Sequence, residues 1–578
     1  MSKNIAEQFV EILVKAGIKR IYAVTGDSLN FLNDAIKREG SIQWIHVRHE
    51  EVGAFAAAAE AELDGLAVCA GSSGPGHVHL INGLYEANRG NVPVLAIAST
   101  CESSEFGTSY FQETNTIKLF DDCSVYNQVA NTPEQAPRML QAALQHAISQ
   151  KGVSVLGVPG DLFEAKSEKN ISSDLVFKTN PRIIPSEEEI NWIANQLNSG
   201  KKVAIYCGIG ASEAHTEVVA LAEKLKAPIG YSFRGKMGIQ YNNPYEVGMT
   251  GLLGLPSAFK AMHEADIVLL LGTDFPYVKF MPTDKVIIQI DDKPERLGRR
   301  AQLTRGYAGK IKDSLINLLP LIKINDNQDF LDKQLDFYQK VKNNLRSYVE
   351  DKGKENHISP EFVAETINQK ANKDTIFTVD TGMCCVWGAR YLEATGERKL
   401  LGSFNHGTMA NAMPMAIGAQ LSHPDKQVIA LCGDGGLSML LGDIATIKQY
   451  NLPIKIIVFN NRSLGMVKLE MEVNGIPDNE TDMVNPDFGL LAQAFGINGI
   501  NVTDPEKVET AIQDALAIDG PVLVNIFTDP NALAMPPKVG WEQMKGMGVA
   551  MTKMMLDGNF KEVADTITSN YKHIKEVL

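Results

Sequence analysis

Short apolar runs alternate with helical patterns along most of the 578-residue chain. The runs are rich in Val, Ile and Leu, as expected of strands that are buried on both faces of a sheet. Strands that alternate with helices predict parallel sheets with right-handed crossovers. The clear strand candidates are residues 20–24, 66–70, 92–98, 153–158, 203–206, 267–271, 286–290, 376–379, 428–431, 455–459 and 522–526.

The strand candidates fall into three groups, which are separated by polar stretches at residues 164–187 and 324–357. We therefore predict an α/β protein with three doubly wound parallel-sheet domains followed by a C-terminal helical tail. The predicted domains cover residues 1–182, 183–345 and 346–530, and the tail covers residues 531–578.

The tail carries two apolar stripes at helical spacing. One stripe consists of Met544, Met547, Met551 and Met554, and the other follows Gly558. Faces of this kind usually dock on their own protein. Contact with a membrane or a quinone is the alternative, since methionine-rich faces adapt to varied partners.

The composition is that of an ordinary globular protein, with 44% hydrophobic and 21% charged residues. No apolar run approaches the roughly 18 residues that span a bilayer. The N-terminal segment has an acidic residue and helical periodicity where a signal peptide has an apolar core. We therefore expect a cytoplasmic protein with at most peripheral contact with the inner face of the cell membrane. A net charge of -14 without a basic cluster argues against nucleic acid as a partner.

The seven cysteines are odd in number and contain no C-x-x-C pair. They are expected to be reduced, mostly buried thiols. Cys384 and Cys385 are adjacent, and on an extended chain their side chains would point to opposite faces. A shared redox or metal role for this pair is therefore disfavoured.

The strongest chemical signal is a glycine-rich turn in the last third of the chain. This turn, residues 433–436, ends an apolar strand and contains Asp434, and a second apolar stretch ends at Asn460 and Asn461. The 24 residues between Gly435 and Asn460 suit a crossover helix and a strand, so that the aspartate and asparagine meet at one sheet edge. Hard oxygen ligands beside glycine amides suit Mg²⁺ bound to a diphosphate. An ordinary glycine turn with an unrelated asparagine pair is the alternative.

A second motif follows a short strand and opens an alanine-rich helix at residues 54–61. Glu50 and Glu51 lie at this junction. A carboxylate among apolar neighbours is suited to relay a proton. The alternative is that both glutamates are first-turn residues stabilised by the helix dipole.

The two motifs resemble those of thiamine diphosphate enzymes, and most closely the pyruvate oxidase branch of that family. G-D-G followed by N-N is similar to the diphosphate signature of the family, and residues 48–51 resemble its cofactor-activating element. Further similar stretches lie at residues 25–30, 70–76, 110–113, 248–254 and 402–414, and the tail resembles that of the quinone-linked, acetate-forming branch. The resemblance implies oxidative decarboxylation of pyruvate with thiamine diphosphate, Mg²⁺ and FAD, with electrons passing to a membrane quinone.

The resemblance also assigns catalytic residues. It implies that Glu50 hydrogen-bonds the aminopyrimidine ring of thiamine, and that Phe111 and Gln112 line the substrate and flavin pocket. Met466 stands where relatives commonly carry phenylalanine, and Glu470 matches a family carboxylate near the reacting centre. Simple packing of Phe111 and an exposed position of Glu470 are the alternatives.

The remaining thiamine and metal residues are also implied by the resemblance. Asp434, the Asn461 side chain and the Ser463 carbonyl would hold the metal. Met409 would support the bent conformation of thiamine, and simple packing of this side chain is the alternative. The cofactor-binding glycines are Gly76, Gly433, Gly435 and Gly436.

Flavin binding rests on the resemblance alone. Residues 208–210 follow a strand, but the third glycine of a dinucleotide fingerprint is missing. Lys310 departs from the family pattern, in which an aspartate is frequent, and one expected contact on the adenosine side is therefore in doubt. The residues implied to bind FAD are Gly251, Gly254, Thr273, Asp274 and Asp291. Ligand-free turns at these positions are the alternative.

The family places its activating glutamate and its diphosphate motif on neighbouring subunits, which implies an obligate dimer that is usually doubled to a homotetramer. Three rival functions remain. One is a phosphate-dependent oxidase that uses oxygen and makes acetyl phosphate and hydrogen peroxide, and another is an acetolactate synthase that joins two pyruvates. The third, a catalytically silent scaffold, would lack Glu50, Asp434 or Asn461, and all three are present.

Overall fold

The computed structural model describes residues 3–168, 175–532, 549–551 and 553. Its strands form three six-stranded parallel sheets, which confirms the predicted fold class. All eleven predicted strand segments are strands in the structure.

The first sheet follows residues 20–159 of the chain. Its strands are β1 (Arg20–Ala23), β2 (Gln43–His46), β3 (Ala67–Gly71), β4 (Val94–Thr100), β5 (Tyr126–Val129) and β6 (Val153–Pro159), in the order β2-β1-β3-β4-β6-β5. The helices are α1 (Ile5–Lys15), α2 (Asn30–Glu39), α3 (Glu50–Asp64), α4 (Pro75–Val78), α5 (Ile81–Gly90), α6 (Thr116–Phe120), α7 (Ala136–Gln150) and α8 (Gly160–Glu164).

The central sheet contains β7 (Val203–Cys207), β8 (Ile229–Tyr231), β9 (Glu246–Met249), β10 (Ile267–Leu271), β11 (Val286–Asp291) and β12 (Arg305–Ala308). Its helices are α9 (Glu187–Leu197), α10 (His215–Leu225), α11 (Lys236–Ile239), α12 (Pro256–Glu264), α13 (Ile311–Leu318) and α14 (Asp329–Val349). The order β12-β11-β10-β7-β8-β9 is the doubly wound order of dinucleotide-binding sheets.

The third domain begins with an antiparallel pair, β13 (Gly353–Lys354) and β14 (His357–Ile358). Its sheet contains β15 (Ile376–Val379), β16 (Lys399–Gly402), β17 (Val428–Gly433), β18 (Lys455–Asn460), β19 (Asn498–Val502) and β20 (Val522–Phe527), in the order β16-β15-β17-β18-β20-β19. The helices are α15 (Pro360–Lys370), α16 (Met383–Tyr391), α17 (Ala412–Ser422), α18 (Asp434–Met439), α19 (Ile444–Gln449), α20 (Gly465–Val473), α21 (Phe488–Ala494) and α22 (Val508–Ala517).

The first and third domains share one hydrophobic core, to which α3 and α17 contribute. Each of these helices follows the second strand of its own sheet. Their backbones are in close contact, because a Cβ atom on Gly418 would lie 2.0 Å from the carbonyl oxygen of Ala56. Alanine side chains on α3 leave room for this approach, which fixes the distance between the two sheets.

All seven cysteines are free and buried, which agrees with the expected reduced thiols. Cys384 and Cys385, however, lie in α16 rather than on an extended segment, so the argument from opposite faces does not hold. Cys384 instead donates a hydrogen bond to the carbonyl of Asp380 at 3.4 Å.

No helix within the described residues is long and apolar enough to cross a membrane. Residues 549–551 of the tail are helical. Apart from Met551, the residues of the two predicted tail stripes lie outside the described residues.

Candidate active site

The turn at residues 433–436 lies in a crevice at the carboxyl ends of β15 and β17. These strands are neighbours, and the chain leaves them in opposite directions, which is where doubly wound sheets bind ligands. A Cβ atom on Gly436 would lie 1.8 Å from a carboxylate oxygen of Asp380, so only glycine fits there. A Cβ atom on Gly435 would lie 3.2 Å from Cε of Met409. The crevice therefore brings Met409 against the turn.

Asp434 is a buried carboxylate, 2% exposed, at the start of α18. Its Oδ2 accepts hydrogen bonds from the backbone N–H of Arg462 and the side chain of Asn485, both at 2.7 Å. Burial raises the pKa of Asp434, and these hydrogen bonds oppose the rise. Within the described part of the chain, it forms no ion pair with a basic side chain. A buried carboxylate without a cationic partner is suited to a metal ion.

Asn461 and Ser463 lie in the loop after β18. The Asn461 Oδ1 atom accepts a hydrogen bond from the Ser463 backbone N–H at 3.1 Å, and Arg462 between them has a φ of 55°. Ser463 is 4% exposed, and its buried Oγ has no hydrogen-bond partner within the described structure. The bond from Arg462 to Asp434 joins this loop to the glycine turn. Carboxylate, amide and carbonyl oxygens, the types that Mg²⁺ prefers, are thus brought together.

Asp380 is a site residue that the sequence analysis did not identify. It is 1% exposed and follows β15, and its Oδ1 accepts hydrogen bonds from Thr381 N–H and the Asn411 side chain at 3.0 and 3.1 Å. Burial raises the pKa of this carboxyl to about 7. Asp380 therefore ties the segment that carries Met409 to the glycine turn. An aspartate directly after an apolar strand was the only signal in the sequence.

Asn460, the first asparagine of the pair, has a structural role. It donates to Asn525 Oδ1 at 3.0 Å and accepts from Asn485 at 3.0 Å. The bond to Asn525 crosses from β18 to β20, and the bond from Asn485 joins β18 to the loop before α21. Asn485 and Asn525 stand far from the motif in sequence, and only the folded sheet brings them to it.

Glu50 begins α3, and His49 caps the helix by accepting a hydrogen bond from the backbone N–H of Glu51 at 3.2 Å. The Glu50 side chain is buried, and its Oε2 lies 2.9 Å from His79 Nδ1. A Cβ atom on Gly76 would lie 3.4 Å from the other Glu50 oxygen. The same Cβ atom would lie only 2.7 Å from Ser72 Oγ, so glycine at position 76 lets the turn pass close to this carboxylate.

Phe111 and Gln112 lie in a loop that packs on the same turn. Gln112, with a φ of 62°, accepts a hydrogen bond from Ser73 Oγ at 2.8 Å. A Cβ atom on Gly74 would lie 2.8 Å from the Gln112 Cβ, which excludes other residues at position 74. Phe111 is 76% exposed and projects from the surface. The structure thus brings Glu50, Gly76 and Gln112 together and leaves the phenyl ring of Phe111 available for contacts.

We call Glu50, Gly76 and Gln112 the Glu50 group, and Asp434, Asn461 and Ser463 the Asp434 group. The two groups are joined indirectly. Asn82 donates to Glu51 at 2.7 Å and to Thr408 at 2.9 Å, and Thr408 precedes Met409. Among the described residues, no hydrogen bond joins Glu50 itself to Asp434. The two groups are therefore separate clusters within one chain.

Helix α20 carries Met466 and Glu470. A Cβ atom on Gly465 would lie 3.0 Å from the Asn461 side chain, so the helix begins at the loop that carries Asn461 and Ser463. Met466 is half-buried against the core of the third domain. Glu470, one turn further, is exposed, and its carboxylate adds to the rise of the pKa of Tyr277, which burial and Cys385 also raise.

The central sheet has its own crevice, between β7 and β10, where the chain again leaves in opposite directions. A Cβ atom on Gly208 would lie 2.2 Å from the carbonyl oxygen of Gly272, so the two turns are in direct contact. Asp291 at the end of β11 is fully buried. Its Oδ2 has no hydrogen-bond partner within the described structure, and burial raises its pKa to about 6. A buried acceptor with no partner at the end of a strand, Asp291 Oδ2, would fit a hydroxyl of a polar ligand such as the ribose of FAD.

The other residues implied to bind FAD lie in the turns that follow β9 and β10. Gly251 has a φ of 107°, and a Cβ atom on Gly254 would lie 2.5 Å from the Thr250 backbone, so both positions require glycine. Thr273 is buried. The Asp274 carboxylate pairs with Arg299 and Arg300 at 3.1 and 3.0 Å. Asp274 is therefore already neutralised by its own domain.

Lys310, the departure from the family pattern, contacts the connection between domains. Its ammonium donates a hydrogen bond to the side chain of Asn180. The backbone of Gly309 donates to the carbonyl of Asp291 at 2.8 Å. The turn around Lys310 is therefore held without an aspartate at this position.

Three family models match the chain. The thiamine pyrophosphate enzyme N-terminal TPP binding domain matches residues 3–119, the central domain matches residues 190–318 and the C-terminal TPP binding domain matches residues 380–526. The chain belongs to the thiamine pyrophosphate enzyme family. The predicted resemblance is thus confirmed at the level of the family.

The relatives of this thiamine pyrophosphate enzyme include proteins named for different activities. The thiamine pyrophosphate-containing protein YdaP of Bacillus subtilis (strain 168) is 35% identical over 582 residues, which cover 100% of this chain and 99% of the relative. A pyruvate oxidase of Lactiplantibacillus plantarum is 32% identical over 532 residues, 89% of this chain and 87% of the relative. The acetolactate synthase isozyme 2 large subunit of Escherichia coli (strain K12) is 28% identical over 550 residues, 91% and 96% of the two chains.

Proposed function

We propose that this thiamine pyrophosphate enzyme oxidatively decarboxylates pyruvate, with thiamine diphosphate, Mg²⁺ and FAD as cofactors and a membrane quinone as electron acceptor. Pyruvate and water give acetate and CO₂, while two electrons and two protons reduce the quinone to the quinol. The carbon–carbon bond to the carboxylate breaks, and the oxygen of water enters acetate. When bound, thiamine diphosphate stabilises the negative charge left by CO₂, and FAD takes up the two electrons.

The observation that carries this proposal is the contact between the central-domain turn and the catalytic domain. Arg390 of α16 donates hydrogen bonds to the carbonyls of Leu253 and Gly254, both at 3.3 Å. Tyr277, whose ring would meet a Cβ atom on Gly251 at 3.2 Å, lies close enough to Glu470 for that carboxylate to affect its pKa. Electron transfer between two cofactors requires such proximity of their binding elements.

Different residues of the chain would have different roles at the thiamine site. Asp434, Asn461 and the Ser463 carbonyl would hold Mg²⁺, which compensates the charge of the diphosphate. Glu50 would accept a hydrogen bond from the aminopyrimidine ring and hold the proton that activation requires. Met409 would support thiamine beside Gly435, against which it packs.

The partners of the chain are also proposals. A homotetramer would bring the Glu50 group of one subunit to the Asp434 group of another, which agrees with the absence of a direct contact between these groups in the described chain. Lys553 of the tail donates to the carbonyl of Gly475 at 2.9 Å, just beyond α20, and Ala550 is buried. We infer that the tail lies close to the catalytic helix and governs access of quinone at the inner face of the membrane.

A second candidate is a phosphate-dependent pyruvate oxidase, which is favoured by the 32% identity to the pyruvate oxidase of Lactiplantibacillus plantarum. It would release acetyl phosphate and hydrogen peroxide. Acetolactate synthase activity would join two pyruvates without net flavin reduction. This is the activity named for relatives of 28–29% identity.

One experiment separates these candidates. The purified enzyme, reconstituted with thiamine diphosphate, Mg²⁺ and FAD, is mixed anaerobically with pyruvate, and the flavin absorbance is followed. We expect bleaching of the flavin, then fast reoxidation by a soluble quinone and slow reoxidation by oxygen, with no requirement for phosphate. Rapid oxygen consumption that depends on phosphate would favour the second candidate. Formation of acetolactate with the flavin still oxidised would exclude both oxidative functions.

A further inference from the structure

A cavity of about 530 Å³ lies between the central and third domains, apart from both cofactor crevices. Its walls come from α11, β9, α14, α15 and α16. None of the residues predicted to bind thiamine diphosphate, Mg²⁺ or FAD lines it. The volume is within the range of small-molecule sites, which is about 300–1,000 Å³.

Lys236, the first residue of α11, is the buried cation of this cavity. It is 3% exposed, and its ammonium donates a hydrogen bond to the carbonyl of Ala389 in α16 at 2.8 Å. Among the described residues, no carboxylate lies within ion-pair distance of it. Burial lowers the pKa of Lys236 to about 8, so the side chain remains mostly protonated at neutral pH. An ammonium has three N–H donors, and only one of them is used by the described contacts.

Glu246, an acidic residue of the wall, already accepts three hydrogen bonds on one carboxylate oxygen. Glu246 Oε1 accepts hydrogen bonds from Tyr231, from Tyr338 at 2.7 Å and from Gln240 at 3.1 Å. Glu365 likewise accepts from Gln369 at 2.8 Å. The charged residues of the wall are Lys236, Lys342, Arg346 and Arg390 against Glu246, Glu365 and Glu393. The wall therefore carries a small excess of positive charge, and its most deeply buried charge is the ammonium of Lys236.

We propose that this cavity binds a compact oxyanion, either a carboxylate or a phosphate, through the ammonium of Lys236. The anion would accept the unused donors of Lys236 and find further basic groups at Lys342 and Arg346. Charge-assisted hydrogen bonds of this kind are the strong ones in proteins. Because Lys236 and Arg390 each bond across the boundary between the domains, a bound anion would stabilise the docking of the central domain on the third domain.

Calorimetric titration of the holoenzyme with inorganic phosphate and, separately, with malonate tests this proposal at constant ionic strength. We expect saturable binding of at least one probe to the wild type. Lys236→Met should weaken that binding at least tenfold, because a buried charge-assisted hydrogen bond is lost. The control is Lys340→Met, an exposed lysine of α14, a helix that contributes to the cavity wall, although Lys340 itself does not line the cavity; this variant should bind as the wild type does.

The two probes distinguish a phosphate site from a carboxylate site. Binding that is unchanged in Lys236→Met, or no saturable binding of either probe to the wild type, would overturn the proposal. Phosphate that binds only as a substrate at the thiamine site would give the first of these results. If Lys236→Met does not fold, Lys342→Met, a half-buried residue of the same wall, must weaken the binding for the proposal to stand.

Discussion

At the scale of single residues, burial decides which polar side chains of this enzyme lack a hydrogen-bond or ionic partner. Asp434 and Asp291 are both buried carboxylates at the ends of strands, and neither is fully compensated by the chain. Glu60, by contrast, is buried and forms an ion pair with Arg20 through two hydrogen bonds, and it therefore has a structural role. The sequence marks all three as acidic residues, but only their surroundings separate ligand-binding from structural carboxylates.

Replacing Glu50 with Gln tests the proposed activation of thiamine. The substitution keeps the volume of the side chain but removes its charge, so proton exchange at the thiazolium carbon should slow by roughly 10²–10⁴-fold, the range of general acid–base catalysis. Exchange is measured by quenched deuterium labelling and NMR of the bound cofactor. The thermal unfolding midpoint should change little, because the amide of a glutamine at position 50 can keep the hydrogen bond to His79.

A suitable control for this change is Glu361→Gln. Glu361 is likewise a buried glutamate in the first turn of a helix, here α15, and no role at the cofactor is proposed for it. Its variant should exchange as the wild type does. If Glu50→Gln also exchanges at the wild-type rate, Glu50 is a structural helix-start residue and the proposed activation is wrong.

At the scale of elements, the apolar pattern identified the central strands and missed mainly edge strands. Within the three large sheets, the strands absent from the prediction are β5, β8, β9, β12, β16 and β19, while β2 was expected only as a short strand without stated bounds. The two-residue strands β13 and β14 of the antiparallel pair were not predicted either. Five of the six strands missed in the large sheets lie at a sheet edge, where residues are partly exposed and polar. The exception is β8, which has three residues, one of them Gly230. Edge strands lack the continuous apolar run that burial on both faces imposes.

The packing of α3 on α17 gives a prediction for Gly418. Alanine normally stabilises an exposed helix position relative to glycine by about 1 kcal/mol. At Gly418 the added Cβ would overlap the Ala56 carbonyl at 2.0 Å, which must push the helices apart. Gly418→Ala should therefore destabilise the protein by roughly 1–3 kcal/mol or more, as overpacked cores do. Chemical denaturation measures this change.

Gly388→Ala is the matched control, since Gly388 is also a helix glycine, in α16. An added Cβ there would meet Val379 and Leu431 at 3.5–3.6 Å, which is ordinary contact. This variant should be neutral or more stable. Equal effects of the two substitutions would show that the α3–α17 contact does not limit the packing of the domains.

At the scale of the whole molecule, the three domains meet around Glu86 of α5. Glu86 is 5% exposed and accepts a hydrogen bond from Ser403 of the third domain. Arg234 of the central domain donates to the carbonyl of Gly90 in the same helix at 3.2 Å. Burial raises the pKa of Glu86 to about 7, the Ser403 hydrogen bond lowers it, and Glu62 raises it further. An acid at this junction makes docking of the domains sensitive to pH.

The sign of the effect follows from the raised pKa. The folded state holds the Glu86 proton more tightly than the unfolded state, whose pKa is near 4.5. Its contribution to stability is therefore fully present below pH 4.5 and is lost as pH rises through about 7. The difference between these two pKa values corresponds to about 3 kcal/mol. The thermal unfolding midpoint of the wild type should therefore decrease as the pH is raised from 5 to 8.

Glu86→Gln removes this titration, so the variant should lose less stability over the same pH range. Glu188→Gln, an exposed glutamate at the start of α9, serves as the control and should retain the wild-type slope. Asp380 and Asp291 also have raised pKa values and contribute to the slope of every variant. Identical slopes for Glu86→Gln and the wild type would contradict the assignment of pH sensitivity to this junction.

The amino-acid sequence by itself determined the fold class, the central strands and the motif residues Glu50, Asp434 and Asn461. These features are local, because strand periodicity and a glycine turn after a strand are encoded by neighbouring residues. Tertiary structure alone decided which distant groups meet. Asp380, Asn485 and Lys236 acquire their surroundings from strands, helices and domains that are remote in the chain. The burial that shifts the pKa values of Asp380 and Lys236, and that leaves N–H donors of Lys236 unused, exists only after those elements pack.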